Sequence, residues 1–201
     1  MIIGILGQMR SGKTTLARAI LAEYDSRFIQ GAKIYSFAEA LRQECAELLW
    51  PNQNAQTARG WWTTLESQFK SEVRPLLQAV GQAKRRFNDA DYWVNALALT
   101  IPADEEHLAI IDDVRHENEA RWILENGGII IRLHADRETL IKRGASEERL
   151  AHYSETAMIQ RSQVEKEYAH RCLAMRTTGL STSGVFKGLR RFIEELIWGE
   201  E

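Results

Sequence analysis

Cysteine is scarce: Cys45 and Cys172 are the only two in 201 residues, too few for a disulfide framework and without the spacing of a zinc site. Both read as small buried hydrophobes. Proline occurs three times, and no internal repeat, low-complexity tract or flexible linker interrupts the chain. Basic charge is not in excess. The formal net charge is −2 and the pI is near 6.2, which leaves no electrostatic footprint for nucleic acid. No apolar run approaches the length of a membrane span, and no signal peptide stands ahead of the first apolar run. The expected setting is therefore soluble, reducing and cytoplasmic, with neither membrane nor nucleic acid as partner.

What remains is an ordinary globular composition, 44% hydrophobic and 27% charged, long enough for one α/β domain over 1–201 with a sizeable insertion. Apolar runs alternate with amphipathic stretches, the signature of a parallel sheet with crossover helices. Strands are predicted at 2–6, 33–37, 107–113, 128–133 and 171–176. Helices are predicted at 13–23, 38–49, 64–72, 75–83, 91–100, 116–126, 136–143, 155–168 and 183–197, with a break near Pro75 and an exposed loop over 51–63. Asp91 and Asp136 read as N-caps, and Gly127-Gly128 as a helix stop. Val185, Leu189, Phe192, Ile193 and Leu196 form one apolar stripe on the last helix. The tryptophans (Trp50, Trp61, Trp62, Trp93, Trp122 and Trp198) are scattered and read mostly as packing residues.

One stretch carries chemistry outright. Residues 7–14, Gly-Gln-Met-Arg-Ser-Gly-Lys-Thr, match the phosphate-binding pattern G-x-x-x-x-G-K-[ST] at every fixed position. Gly7 and Gly12 permit the tight backbone turn, Lys13 reaches the β- and γ-phosphates, and Thr14 offers its hydroxyl to Mg²⁺. Arg10, Ser11 and Thr15 complete the cradle. An apolar run precedes the loop and a helix opens after it, so the helix's positive end faces the phosphates. The motif implies a nucleoside triphosphate. About 100 residues on, Leu-Ala-Ile-Ile-Asp-Asp (108–113) is an apolar strand ending in carboxylates, which suits Asp112 and Asp113 to Mg²⁺ or its water shell. Phosphoryl transfer needs further cations, and Arg115 and Arg143 are the candidates beside Lys13. Arg143 opens a polar segment, Gly144 to Glu155, with the character of a lid. Arg137, Lys142 and Arg149 read as surface groups, Lys142 pairing with Glu138.

Further blocks extend the pattern: Tyr-Ser-Phe-Ala-Glu-Ala-Leu-Arg (35–42), Arg-Pro-Leu-Leu-Gln-Ala-Val-Gly (74–81), Asp-Ala-Asp-Tyr-Trp-Val (89–94), Ile-Asp-Asp-Val-Arg-His-Glu-Asn-Glu-Ala (111–120) and His-Tyr-Ser-Glu-Thr (152–156). In this order, from residue 2 to about 195, the chain resembles the phage-type deoxynucleoside monophosphate kinases. Dephospho-coenzyme A kinase and animal-type phosphomevalonate kinase share parts of the pattern. The resemblance implies a three-layer α/β/α P-loop kinase fold with a five-stranded parallel sheet and an acceptor-binding insertion over 36–103. It implies ATP and Mg²⁺, small-molecule nucleotide substrates, and host cytoplasm if the origin is phage; a homodimer stays open. It points to Ser36, Arg42, Arg74, Gln78 and Trp93 on the acceptor side, and to His152, Ser154 and Glu155 in the lid-side motif. Two features depart from it: Arg176-Thr177-Thr178-Gly179 replaces an Asn-rich turn near the donor base, and Gln8-Met9-Arg10-Ser11 is a bulky loop interior. A nucleotide-dependent switch or assembly ATPase is the alternative from another class.

Overall fold

The computed structural model describes residues 1–27, 31–103, 107–151 and 162–198. The chain forms two compact units, Met1–Tyr35 with Pro102–Glu201, and Ser36–Ile101.

The first unit is built on strands β1 (Ile2–Gly7), β2 (Ala32–Tyr35), β3 (Leu108–Val114), β4 (Ile129–His134) and β5 (Cys172–Arg176). They pair in the order β2-β3-β1-β4-β5, all parallel. Side chains alternate between faces, so one strand feeds two helix layers. On one face Ile3, Ile5, Ile110 and Ile131 pack against Leu16 and Ile20 of α1 (Lys13–Tyr24) and Leu189 and Ile193 of α10 (Thr182–Trp198). Each such fully buried side chain contributes about 1.5–3 kcal/mol. The other face receives α6 (Glu117–Glu125). Gly4 makes room for it: a Cβ there would lie 2.7 Å from both Ile123 Cδ1 and Ile130 Cδ1. The result is the expected three-layer α/β/α arrangement around a five-stranded parallel sheet.

Among the described residues the other α-helices of this unit are α7 (Arg137–Lys142), α8 (Glu147–Leu150) and α9 (Gln163–Glu167). Gly127, at φ 73°, ends α6 as expected. Asp136 caps α7 by accepting from Thr139 N at 2.9 Å. Thr139's hydroxyl and backbone, then Thr178 and Arg176, hold the Asp136 carboxyl far below the usual carboxylate range. The stripe on α10 buries Val185, Leu189 and Ile193 and half-buries Phe192; the side chain of Leu196 lies outside the described residues. So does the first part of the helix predicted at 155–168.

Among the described residues one ion pair is buried in this unit. Arg132 of β4 meets Glu165 of α9 through two hydrogen bonds, Nε to Oε1 at 2.9 Å and Nη2 to Oε2, with side-chain exposures of 9% and 1%. Burial pushes the Glu165 carboxyl up, but the bond from Arg132 and the backbone N–H of Ser162 outweigh it and hold the group below its ordinary value.

The second unit is helical: α2 (Phe37–Leu49), α3 (Ala55–Gln68), α4 (Lys70–Phe87) and α5 (Tyr92–Ala98). Cys45, Ala46, Ala58, Trp62 and Val73 form its core. Two expectations fail here. The segment 51–63 is mostly helix, because Asn54 caps α3 by accepting from Thr57 N at 2.9 Å, and Ala58, Trp62 and Leu65 then fall on one inward face. The polar residues that suggested a loop occupy the outward face. The helix also runs through Pro75 and breaks instead at Phe69, whose φ/ψ of −127°/44° is non-helical. Ser71 and Pro75 are exposed, so the carbonyl deprived of its donor lies toward solvent, where its cost is small.

Candidate active site

Strand β1 ends in the turn that becomes the site. Gly7 sits too close to its surroundings for any side chain: a Cβ would lie 2.5 Å from Leu133 O and 2.7 Å from Ser11 Oγ. Ser11 N donates to Gln8 O at 3.1 Å and closes the loop. Arg10 is the only non-glycine residue at positive φ (64°) among those described, a conformation that costs about 1–3 kcal/mol and must be held by its surroundings. Gly12, at φ 103°, is the N-cap of α1 and supplies no side-chain cap. The first N–H groups of a helix have no intrahelical partner, so here they are disposed to bind oxygens in the cavity. Lys13 Nζ donates to the carbonyls of Gly7 at 2.7 Å and Gln8 at 3.0 Å. Ser11 is 1% exposed and its Oγ is buried with no partner. An oxygen-rich anion is the group such a cradle fits.

The carboxylates come from an irregularity in β3. Gly4 pairs with Ile111 but Leu6 pairs with Val114, so β3 carries one residue more than β1 across this stretch. An inserted residue breaks the alternation of faces and re-aims side chains, and Asp112 and Asp113 are both half-buried in succession. Asp112 Oδ2 accepts from Thr14 Oγ1 at 2.6 Å, joining the expected metal residues. Among the described residues no group of three His, Cys, Asp or Glu side chains could hold a metal. One hydroxyl and one carboxylate suit Mg²⁺, which keeps waters and takes substrate oxygens as its other ligands. Arg115 is exposed; its backbone N–H and that of His116 donate to buried Glu119 at 2.7 and 3.0 Å.

A cavity of about 620 Å³ opens over the loop. Arg10 through Leu16 form one wall, including Thr15, and Leu133, Arg143, Thr177, Leu180, Ser181 and Val185 the other. Asp112, Asp113 and Arg115 are not part of its wall. Arg143, the C-cap of α7, stands at the cavity already. It donates to Thr177 O at 2.8 Å, Thr177 Oγ1 at 3.2 Å and Arg10 O at 3.4 Å. The bulky loop interior has a use: Met9 packs on Ala135, Leu140, Ala145 and Leu150. The Arg10 guanidinium lies 3.8–4.0 Å from where a side chain at Gly144 would begin. The lid-side residues His152, Ser154 and Glu155 lie outside the described residues.

Thr177 is the residue that sequence reasoning missed. Residues 176–179 stood out only as a turn without asparagine. The available signal was position: in open parallel sheets, sites gather at the carboxyl ends of strands, and Thr177 directly follows β5.

The acceptor candidates all belong to the helical unit. Ser36 is the N-cap residue of α2. Arg42 Nε bonds both carboxylate oxygens of Glu66, at 3.0 and 3.3 Å, and lines a concavity of about 440 Å³ with Thr63, Glu66, Ser67 and Lys70. Arg74 is half-buried on α4 and Gln78 is exposed there. The stacking role expected of Trp93 does not hold. The side chain is 2% exposed, its indole N–H donates to Gly81 O at 3.1 Å, and its ring meets Tyr92 edge-on at 4.8 Å. The indole is thus bonded to helix backbone and is part of the core.

No family model matches the chain, and no curated protein does. Among solved structures, shikimate kinase from Aquifex aeolicus vf5 is similar with a TM-score of 0.52 at 11% sequence identity, covering 100% of both chains. Thymidylate kinase from Candida albicans gives a TM-score of 0.48 at 15% identity, covering 96% of this chain and 90% of that one. The first likeness shows the fold, that of a P-loop kinase.

Proposed function

We propose that this chain transfers the γ-phosphoryl group of ATP to a deoxynucleoside 5′-monophosphate. The observation that carries the reading is the convergence of Lys13, the Thr14–Asp112 pair and Arg143 around one loop and cavity. Transfer of this kind is catalysed by positioning and by positive charge along the phosphate chain rather than by a covalent intermediate. The N–H groups at the start of α1 hold the phosphates, and the Lys13 ammonium turns from the loop carbonyls to phosphate oxygens of comparable geometry. Arg143 adds its charge at the far wall. Mg²⁺, when bound at Thr14 and Asp112, would neutralise phosphate charge and orient the oxygens around it. The monophosphate acceptor rests on the sequence blocks of residues 35–94 and on the Arg42 concavity, where Lys70, Thr63 and Ser67 add a cation and hydroxyls.

The burial of Trp93 keeps a second reading in play, a kinase of another small phosphorylated metabolite, since base stacking is no longer an argument for a nucleotide. A panel assayed with Mg·ATP separates the two: the deoxynucleoside monophosphates, dephospho-coenzyme A, phosphomevalonate and unphosphorylated nucleosides. ATP turnover is expected to be slow alone, to rise sharply with more than one deoxynucleoside monophosphate, and to be indifferent to nucleosides. Transfer to dephospho-coenzyme A or phosphomevalonate alone overturns the acceptor and leaves the kinase. Turnover indifferent to every acceptor fits a switch or assembly ATPase and overturns both.

A further inference from the structure

We propose that Thr177 is a positioning residue for the transfer step, fixing Arg143 and the Ser11–Gly12 peptide of the phosphate loop in a single arrangement. The inference rests on the kinase reading above. Thr177 is 3% exposed, the one buried threonine among those whose side chains are described. A hydroxyl has one proton to give and two lone pairs. Arg143 Nη1, 3.2 Å from Thr177 Oγ1, can only donate, so the hydroxyl accepts from it and directs its own proton to a carbonyl. Ser11 O, at 3.1 Å, is nearer than His134 O, at 3.4 Å. The backbone reinforces this geometry. Thr177 N donates to His134 O at 2.7 Å, and Thr177 O accepts from Arg143 Nη2 at 2.8 Å.

Two consequences follow. Two of the three acceptors of the guanidinium belong to Thr177, at 2.8 and 3.2 Å, and are shorter than the third, Arg10 O at 3.4 Å; this two-point hold by one residue fixes the plane of the fork. The Ser11 carbonyl points at Thr177, so in a trans peptide the Gly12 N–H points the opposite way, away from Thr177. Gly12 and Arg143 both line the cavity. The far end of α7 is tied to the same turn, with Asp136 N donating to Thr178 Oγ1 at 3.0 Å. Dipoles and charges stabilise a transition state only if they are in place before charge moves, and a displacement of about 1 Å costs on the order of a hundredfold in rate. Thr177 provides that fixity without itself reaching the reacting atoms.

The test compares the wild type with T177V, T177A, T177S, R143A and T177V/R143A, measuring kcat, the KM values for Mg·ATP and for the best deoxynucleoside monophosphate, and Tm. T177V and T177A remove the hydroxyl by different routes, so one misfolded variant does not end the experiment. Both are expected to lower kcat by about tenfold or more with KM for ATP within about threefold, as for a lost preorganised contact. T177S, which keeps the hydroxyl, should return kcat to within about threefold of wild type. The double variant should be no slower than R143A alone, because the two side chains act as one unit. Undiminished kcat in T177V and T177A, T177S as slow as either, or losses from T177V and R143A that multiply would each overturn the inference while leaving an active kinase. A wild-type protein that phosphorylates no acceptor overturns the kinase reading and this inference together.

Discussion

Lys13 bonds two carbonyls of its own loop, Gly7 and Gln8, at 2.7 and 3.0 Å. In the proposed reading phosphate oxygens take the place of those carbonyls, so the ammonium's main service is to the bound phosphates. K13A should therefore keep its melting temperature and lose on the order of a hundredfold in kcat; near-normal turnover in that variant would remove the loop from the mechanism. Arg132 and Glu165 behave in the opposite sense. Breaking a buried pair leaves one charge without its partner, at about 3–5 kcal/mol. R132M should fall by that much in chemical denaturation, and R132M/E165L should regain a good part of it. The sign with pH follows from the lowered Glu165 carboxyl. Its contribution is complete above the unfolded value of about 4.3 and is lost as pH falls through the lower folded value. Wild type should lose stability across that acid window more steeply than E165Q, and equal slopes would remove Glu165 as the cause.

At the level of elements, the phosphate loop and the α7–α8 segment form one assembly. Met9 inserts into the cluster of Leu140, Ala145 and Leu150, and the Arg10 guanidinium lies beside Gly144. M9A should loosen α7–α8 locally. Losing a half-buried side chain costs about 1–2 kcal/mol, which corresponds to roughly 5- to 30-fold in amide exchange over 144–151, while exchange in α1 and α10 stays unchanged. Uniform acceleration would mean that Met9 supports the whole sheet instead. All five strands were legible in the sequence: β3, β1 and β4 because a central parallel strand is one apolar run, and the edge strands β2 and β5 from their place in the alternation of strands and helices. The helical unit was less so. Asn54 starts α3 inside a stretch whose outward face is polar, and a proline on an exposed helix face carries little penalty, so composition misled in both places. In the site, the loop glycines, Lys13, Thr14 and Asp112 were legible because each is fixed by backbone geometry or charge. Thr177 was not, since its role comes from contacts with residues 34, 43 and 166 positions away. Trp93 was misassigned because an indole in a sequence motif looks the same whether its faces are open or packed.

For the whole molecule, the strand order β2-β3-β1-β4-β5 sets when each part can exist. Every pairing in the sheet involves β3 or β4, and β3 begins at Leu108. The second unit, Ser36–Ile101, is continuous in sequence and has its own core. Its contacts are local, and local contacts form early. In refolding followed by pulsed amide exchange, amides of α2, α3 and α4 should gain protection before those of β1; simultaneous protection would show that the two units fold as one. On the ribosome the same order has a sharper meaning. The phosphate loop leaves the tunnel well ahead of β3 and β4, and its strand has no neighbour to pair with until Leu108 and the residues after it have followed. A chain cut short before Leu108 carries the whole phosphate-loop sequence without either strand that pairs with β1, so the motif alone should give no formed cradle.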